Sequence, residues 1–181
     1  MQSKLSNLAG QEQSSDELVK QIYVELKRMA RGRLAMERHG LTLNTTALVH
    51  EVWLRLEKSS PDQWRDRAQF FAAAAEAMRR ILVEAARHRL AAKRGGGADV
   101  VRLDDPEAAE IAEDRGLLGI HEVLDALEAE DPMKAQIVKL RFFSGLENEE
   151  IAALLGANEK TVRRHWELAK VWLYRAITQG G

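Results

Sequence analysis

Residues 151–162 read Ile-Ala-Ala-Leu-Leu-Gly-Ala-Asn-Glu-Lys-Thr-Val, and this stretch decides the fold of the C-terminal third of the chain. The spacing predicts two helices joined by a tight turn. Ala152 is small enough to let the helices approach, Gly156 can adopt the left-handed conformation of the turn, and Val162 packs back into the angle. Asn158 is expected to cap the second helix. The pattern is typical of a helix-turn-helix, and the alternative is an ordinary antiparallel helical hairpin.

The second of these helices has one apolar face, which leaves its polar side chains pointing outward. The outward positions are Asn158, Lys160, Thr161, Arg163, Arg164 and Glu167. Donors near the N-terminus of such a helix contact base edges in the major groove. An arginine that binds guanine with two hydrogen bonds contributes about 1–3 kcal/mol of discrimination. The sequence therefore predicts a DNA-reading helix.

Working outward, the chain of 181 residues reads as helix nearly throughout, because its three prolines all lie outside the periodic segments. Side-chain oxygens of Asn44–Thr46, Asp66 and Asp131 are placed to cap the helices that follow them. We predict an all-α fold of two small helical bundles joined by an acidic flexible linker, the second ending in the helix-turn-helix. The predicted helices span residues 16–38, 47–57, 66–94, 120–130, 132–143, 148–155 and 158–177.

Charge divides the chain into three parts although the total is only −1. Residues 1–94 have a net charge of +6, residues 95–131 of −10 and residues 132–181 of +3. Two basic units flanking an acidic connector suggest two surfaces that face a polyanion, or a helical protein that merely segregates its surface charge. The predicted organisation is a tail (1–14), a first unit (15–95), a linker (96–118) and a second unit (119–178).

The long helix over 66–94 has a predicted apolar face and an opposite stripe of arginines. The apolar face comprises Phe71, Ala74, Met78, Ile81, Leu82 and Ala85, and the stripe comprises Arg80, Arg87 and Arg94. Arg79 and Arg89 broaden the stripe, which fits either phosphate contacts or a solvated helix face. Glu76 and Glu84 are spaced to pair with Arg80. In the loop before this helix, Trp64 either stacks on an unpaired base or anchors the loop on the core.

Several function classes are excluded or disfavoured. The chain has no cysteine, and its five histidines show no metal-ligand spacing, so we predict no cofactor and no metal site. His50-Glu51 and His121-Glu122 start like a zincin helix, but Leu54 and Asp125 stand where the second histidine would be. We therefore expect no enzyme. No apolar run approaches a membrane span and the N-terminus lacks signal-peptide features, so a cytoplasmic location is expected.

The ordered set of segments resembles a bacterial sigma factor of the extracytoplasmic-function (ECF) group. The segments are Thr46-Ala-Leu-Val-His-Glu-Val-Trp-Leu-Arg-Leu56, Arg67-Ala-Gln-Phe-Phe71, Ala77-Met-Arg-Arg-Ile-Leu-Val83, Ala92-Lys-Arg-Gly-Gly96, Val138-Lys-Leu-Arg-Phe-Phe-Ser-Gly-Leu146, Glu149-Glu-Ile-Ala152 and Thr161-Val-Arg-Arg-His-Trp166. Each segment is weak by itself, but their order over residues 16–178 is specific.

The resemblance implies a subunit of RNA polymerase that confers promoter choice rather than a catalyst. It implies that the helix over 47–57 binds the polymerase core, with His50, Glu51 and Arg55 as polar candidates, while Leu48, Val52 and Trp53 serve the protein's own core. It assigns the −35 element to the outward residues of the last helix and opening of the −10 element to the first unit. The −10 candidates are Trp64, Arg65, Arg67, Arg79, Arg80 and Arg87.

The partners expected from the resemblance are core RNA polymerase and promoter DNA, with an anti-sigma factor as a further candidate and no membrane insertion. Two residues depart from the family pattern. Glu147 replaces the usual serine cap, so Asn148 is expected to cap instead, and Glu159 stands at the entrance of the reading helix. Two alternatives stay open: a helix-turn-helix regulator that acts without polymerase, which leaves 46–56 and 67–94 without a role, and a sigma-binding regulator, for which the outward arginines are dispensable.

Overall fold

The computed structural model describes residues 15–35, 44–58, 66–94 and 106–179, and all of its regular elements are helices. The prediction of an all-α fold is confirmed. In chain order the elements are α1 (Ser15–Ala35), α2 (Thr45–Lys58), α3 (Arg67–Arg94), α4 (Pro106–Glu130), α5 (Pro132–Val138), a π-helical turn (Lys139–Phe143), α6 (Asn148–Leu155) and α7 (Glu159–Gln179). Within these described ranges, no helix combines the length and apolar character that a membrane crossing requires.

Helix starts are where the local sequence places them. The Asn44 side chain accepts a hydrogen bond from the Ala47 N–H at 2.8 Å, and Asp66 accepts from the Gln69 N–H at the same distance. Asp131 accepts from the Lys134 N–H at 3.0 Å, with Pro132 as the first residue of α5. Each side-chain oxygen satisfies a backbone donor that has no partner inside the helix. These predicted caps are confirmed.

The turn between α6 and α7 has the predicted geometry. Gly156 ends α6 in the left-handed conformation, with φ of 62°. Ala152 and Val162 are both buried, and the Lys160 N–H donates to the Asn158 side chain at 2.9 Å. The start of α6 differs from the prediction, because Glu147 rather than Asn148 occupies the N-cap position. The Glu147 N–H donates to the Glu150 carboxylate at 2.7 Å, the bond that the third residue of a helix makes back to its N-cap in a capping box.

The described part of the predicted linker is helical. Residues 106–118 form the first half of α4, so this helix begins at Pro106 rather than near Gly119. Proline is favoured in the first helical turn because its nitrogen needs no partner there. Asp114 and Leu117 are both buried, so α4 is packed against the rest of the protein at these two positions. Residues 96–105 of the predicted linker lie outside the described residues.

The hydrophobic core joins the N-terminal and C-terminal halves of the chain. One cluster combines α1, α2 and most of α3 with residues of α5, the π-helical turn, α6 and α7, among them Ile137, Leu140, Ile151 and Val162. The other combines the middle of α3 with α4, α5 and α7. The predicted apolar face of α3 is buried except for Ala85, whose place is taken by Ala86. Helix α3 is therefore the element on which both halves pack.

Candidate nucleic-acid interface

The first turns of α7 form an exposed cationic surface. Lys160, Thr161, Arg163 and Arg164 are all exposed, and we call these four residues the α7 surface. Inward-facing Val162, Ala169 and Leu173 are buried and fix the rotation of the helix. Among the described residues, no carboxylate forms an ion pair with a cation of the α7 surface. The remaining predicted residues are Asn158, which caps the helix, and Glu167, whose carboxylate lies 2.8 Å from Lys170 Nζ.

A second set of cations lies along α3. We call Arg79, Arg80, Arg87 and Arg89 the basic face of α3. Arg80 is 68% exposed and its Nε lies 3.2 Å from the Glu76 carboxylate, as the spacing predicts. Arg87 is exposed. Both side chains are therefore accessible to a phosphate.

Arg67 lies at the start of the same helix. Its side chain is 62% exposed, and its guanidinium lies 5.3 Å from the centroid of the buried Phe71 ring. Its Nη2 is 3.4 Å from Glu25 on α1. The predicted residues Trp64 and Arg65 precede this helix and lie outside the described residues.

Arg79 differs from its neighbours because α4 covers it. The side chain is only 5% exposed, and Nη2 donates to Asp125 at 2.9 Å while Nε donates to His121 Nδ1 at 3.0 Å. Glu76 lies 3.4 Å from its Nη1. The hydrogen bond from Arg79 lowers the pKa of Asp125, and burial together with the charge of Arg79 lowers the pKa of His121. Both shifts favour the protonation states that accept hydrogen bonds from Arg79.

Arg89 is held by the same helix. Its Nε lies 3.0 Å from one oxygen of Asp114 and its Nη2 lies 2.5 Å from the other, so the carboxylate is bound by two nitrogens. The Asp114 side chain is 5% exposed and that of Arg89 is 15% exposed. Two-point binding of a carboxylate by arginine is among the stronger polar contacts in proteins. α4 thus neutralises two members of the basic face of α3.

The polymerase candidates lie on α2. His50 is exposed and Glu51 is half-exposed. Arg55 is bound between helices: its Nε is 3.3 Å from Glu51, and its Nη2 is 2.6 Å from Glu84 on α3. This contact raises the pKa of Arg55 and lowers that of Glu84. The spacing on α3 suggests a pair between Glu84 and Arg80, but in the structure Glu84 pairs with Arg55 instead. Leu48 and Val52 are buried, and Trp53 packs on the core.

Three residues that the sequence analysis did not select contact the basic face of α3: Asp114, His121 and Asp125. Asp114 and Asp125 are about three helical turns apart on α4 and share a face with the buried Leu117 and Leu124. In the sequence, the periodicity of residues 98–118 is weak, and together with the acidic composition and Pro106 it favours a solvated connector.

The family model described as ECF sigma factor matches residues 5–179, nearly the whole chain. The protein belongs to the ECF sigma factor family and has a sigma factor's role in transcription initiation. Members of this family are DNA-binding regulatory proteins rather than enzymes, and they bind RNA polymerase and promoter DNA. Searches of curated proteins and of solved structures returned no match.

Proposed function

We propose that this chain binds core RNA polymerase through α2, opens the −10 element with α3 and the loop before it, and recognises the −35 element with α6 and α7. The observation that carries the proposal is the α7 surface, where Arg163 and Arg164 are exposed beside the capped turn at Asn158 and form no ion pair with any described residue. An unpaired arginine can bind a guanine edge without first breaking an ion pair. The α6–turn–α7 pair then acts as the helix-turn-helix.

The division of labour follows the proposed units. Residues 15–95 are the unit for polymerase and the −10 element, and residues 119–178 are the unit for the −35 element; residues 1–14 are a tail and 96–118 connect the units. Opening DNA costs about 1.4 kcal/mol of stacking per base-pair step. Capture of the separated strand offsets this cost, for which Trp64 offers a stacking surface and the arginines of α3 offer phosphate contacts. Arg65 and Arg67 flank the start of that helix.

The contact with polymerase rests on the outer face of α2. His50 and Glu51 are accessible there, whereas Arg55 is engaged with Glu84. We assign Arg55 a positioning role: it fixes α2 on α3 and orients Glu51, with which it also pairs. Glu51→Gln should therefore weaken polymerase binding directly, and Glu84→Gln should weaken it less.

The experiment is in vitro transcription with core polymerase on genomic DNA fragments, with and without the purified chain, followed by mapping of RNA 5′ ends. The expected result is a set of start sites that requires the chain, together with stoichiometric co-purification of chain and core. Binding to DNA without co-purification indicates a regulator that acts without polymerase. Co-purification without new start sites contradicts the proposed promoter recognition.

A further inference from the structure

We propose that Glu159 determines part of the promoter specificity: its carboxylate selects a cytosine in the −35 element by accepting a hydrogen bond from the amino group of that base. The inference rests on the proposed function, in that α7 is assigned to the −35 element. It gives a role to a residue that departs from the family pattern, and it names the base that this residue reads.

Glu159 is the first residue of α7, and the turn before the helix holds it in place. The Asn158 side chain accepts a hydrogen bond from the Lys160 N–H at 2.9 Å. The Asn158 carbonyl oxygen accepts from the N–H groups of Thr161 and Val162 at 2.9 and 3.1 Å, and the Val162 side chain is fully buried. In a helix-turn-helix, the residues at the N-terminus of the second helix contact base edges. Glu159 therefore occupies a position of the motif from which a side chain reaches a base.

The side chain of Glu159 is free to make such a contact. It is exposed and forms no hydrogen bond or ion pair with any described residue. Arg163 lies one turn further along α7, and a glutamate four residues before an arginine has a favourable spacing for an ion pair. That pair is absent from the described part of the chain, whereas Glu167 on the same helix is 2.8 Å from Lys170. Both Glu159 and Arg163 are thus available to DNA.

The chemistry of a carboxylate limits what Glu159 can bind in a major groove. It is repelled by the phosphate backbone, because both groups are negatively charged. An ionised carboxylate has hydrogen-bond acceptors and no donor, so it requires a donor on the base. Guanine and thymine present acceptors in the major groove, and adenine presents an acceptor beside its amino group. Cytosine presents an amino donor, so the Glu159 carboxylate is complementary to cytosine.

A purely structural role is the alternative for this residue. A negative charge in the first turn of a helix stabilises the helix through its dipole. In that role, replacement of Glu159 lowers the stability of the fold and weakens binding to all DNA sequences alike. It does not change which base is preferred at any position. Base preference is therefore the measurement that separates the two roles.

The test uses holoenzyme reconstituted from core polymerase and the full chain. Holoenzyme is incubated with a library of promoter fragments in which the −35 region is randomised, and bound and unbound fragments are sequenced to give the relative affinity for each base at each position. The variants are Glu159→Gln, which keeps the size of the side chain, and Glu159→Ala. The matched control is Glu149→Gln, which removes the same charge from an exposed residue in the first turn of α6.

In the unaltered chain we expect one position of the −35 element at which cytosine is preferred about tenfold over the other bases. Glu159→Gln should move the preference at this position to adenine, because an amide accepts from the adenine amino group and donates to N7. Glu159→Ala should leave the position without a preference. Glu149→Gln should retain the preference for cytosine.

Two results overturn the assignment of Glu159. If both Glu159 variants keep the base preferences of the unaltered chain at every position, the residue acts only on the helix. If both variants raise the affinity for all fragments equally, the carboxylate repels phosphate and reads no base. A different failure concerns the proposed function: unaltered holoenzyme that shows no base preference anywhere in the −35 region contradicts recognition of this element by α7. The failure of the inference and that of the proposed function are therefore distinguishable.

Discussion

On α7, Arg163 and Arg164 are exposed and form no ion pair within the described part of the chain, whereas on α3, Arg79 is buried and binds Asp125 and His121 of α4. Both sites consist of arginines on a long helix, and the sequence analysis selects both as candidate DNA contacts. The difference arises from position in the fold. The first turns of α7 extend beyond the turn at Gly156, while α3 lies at the centre and has other helices packed on it.

The comparison shows that a cationic stripe is not yet a binding surface. An arginine that already holds a carboxylate must exchange that partner for phosphate, so only the difference between the two contacts contributes to DNA affinity. On this basis the α7 surface is ready to bind in the packed chain. The basic face of α3 is divided: Arg80 and Arg87 are accessible and Arg79 and Arg89 are not.

The largest effect is expected from substitution of the accessible arginines on α7. Arg163→Ala with Arg164→Ala should weaken the free energy of promoter recognition by about 2–6 kcal/mol, since each base-contacting arginine contributes about 1–3 kcal/mol. Transcription that depends on the −35 element should fall accordingly. Run-off transcription with core polymerase measures the loss, and co-purification should be unchanged. Arg175→Ala, an exposed arginine near the end of the same helix, is the control. Equal losses from the control and the double variant contradict the assignment.

The second prediction concerns the covered arginines of α3 and substitutes Asp114, the partner of Arg89. Asp114→Asn removes the charge that Arg89 binds with two nitrogens in a mostly buried site. Loss of one partner of a buried pair costs about 3 kcal/mol, so the free energy of unfolding should fall by that amount in urea titrations. Glu128→Gln affects a more exposed pair with Lys139 and should cost under about 1 kcal/mol. Similar losses from both variants contradict a structural role for the Asp114 contact.

Local signals in the sequence predicted the local features of the fold. Asn44, Asp66 and Asp131 cap helices through bonds that span three residues, and Gly156 needs only its own backbone freedom. The helical state of 106–118 is different, because an acidic segment can be a solvated connector or a packed helix. Only the docking of Asp114 on α3 decides between them, and that contact joins distant parts of the chain.

The candidate site follows the same rule. Exposure of the α7 surface could be predicted, because the inward face of that helix is defined by its own apolar periodicity. Burial of Arg79 could not, since its partners His121 and Asp125 lie on another helix. Glu84 shows the same limit: spacing on α3 pairs it with Arg80, yet the side chain is bound by Arg55 of α2. Pairing across helices depends on packing that periodicity does not encode.

A smaller effect is expected on the salt dependence of DNA binding, and it distinguishes the accessible from the covered arginines of α3. Each phosphate contact contributes about 0.7 log units to the salt dependence of single-strand binding. Arg87→Ala should reduce the slope by about this amount in the free chain because Arg87 is exposed, whereas Arg79→Ala should leave the slope nearly unchanged. Titrations at several NaCl concentrations measure both slopes. An Arg79 effect already present in the unaltered chain contradicts the covered state.

The smallest expected effect is that of pH on the stability of the fold. The pKa of His121 is lowered by burial and by the charges of Arg79 and Arg87, against the opposing charges of Asp125 and Glu76. The unfolded state therefore binds a proton more readily, and the folded state loses stability as pH falls below about 6.5. Asp125, whose pKa is also lowered, acts in the same direction at more acidic pH. The free energy of unfolding from urea titrations should thus decrease by less than about 1.4 kcal/mol as pH falls from about 7.5 to about 5.5. His121→Asn, which cannot be protonated in this range, should remove the change, and a pH response that persists in this variant would assign the proton to another group.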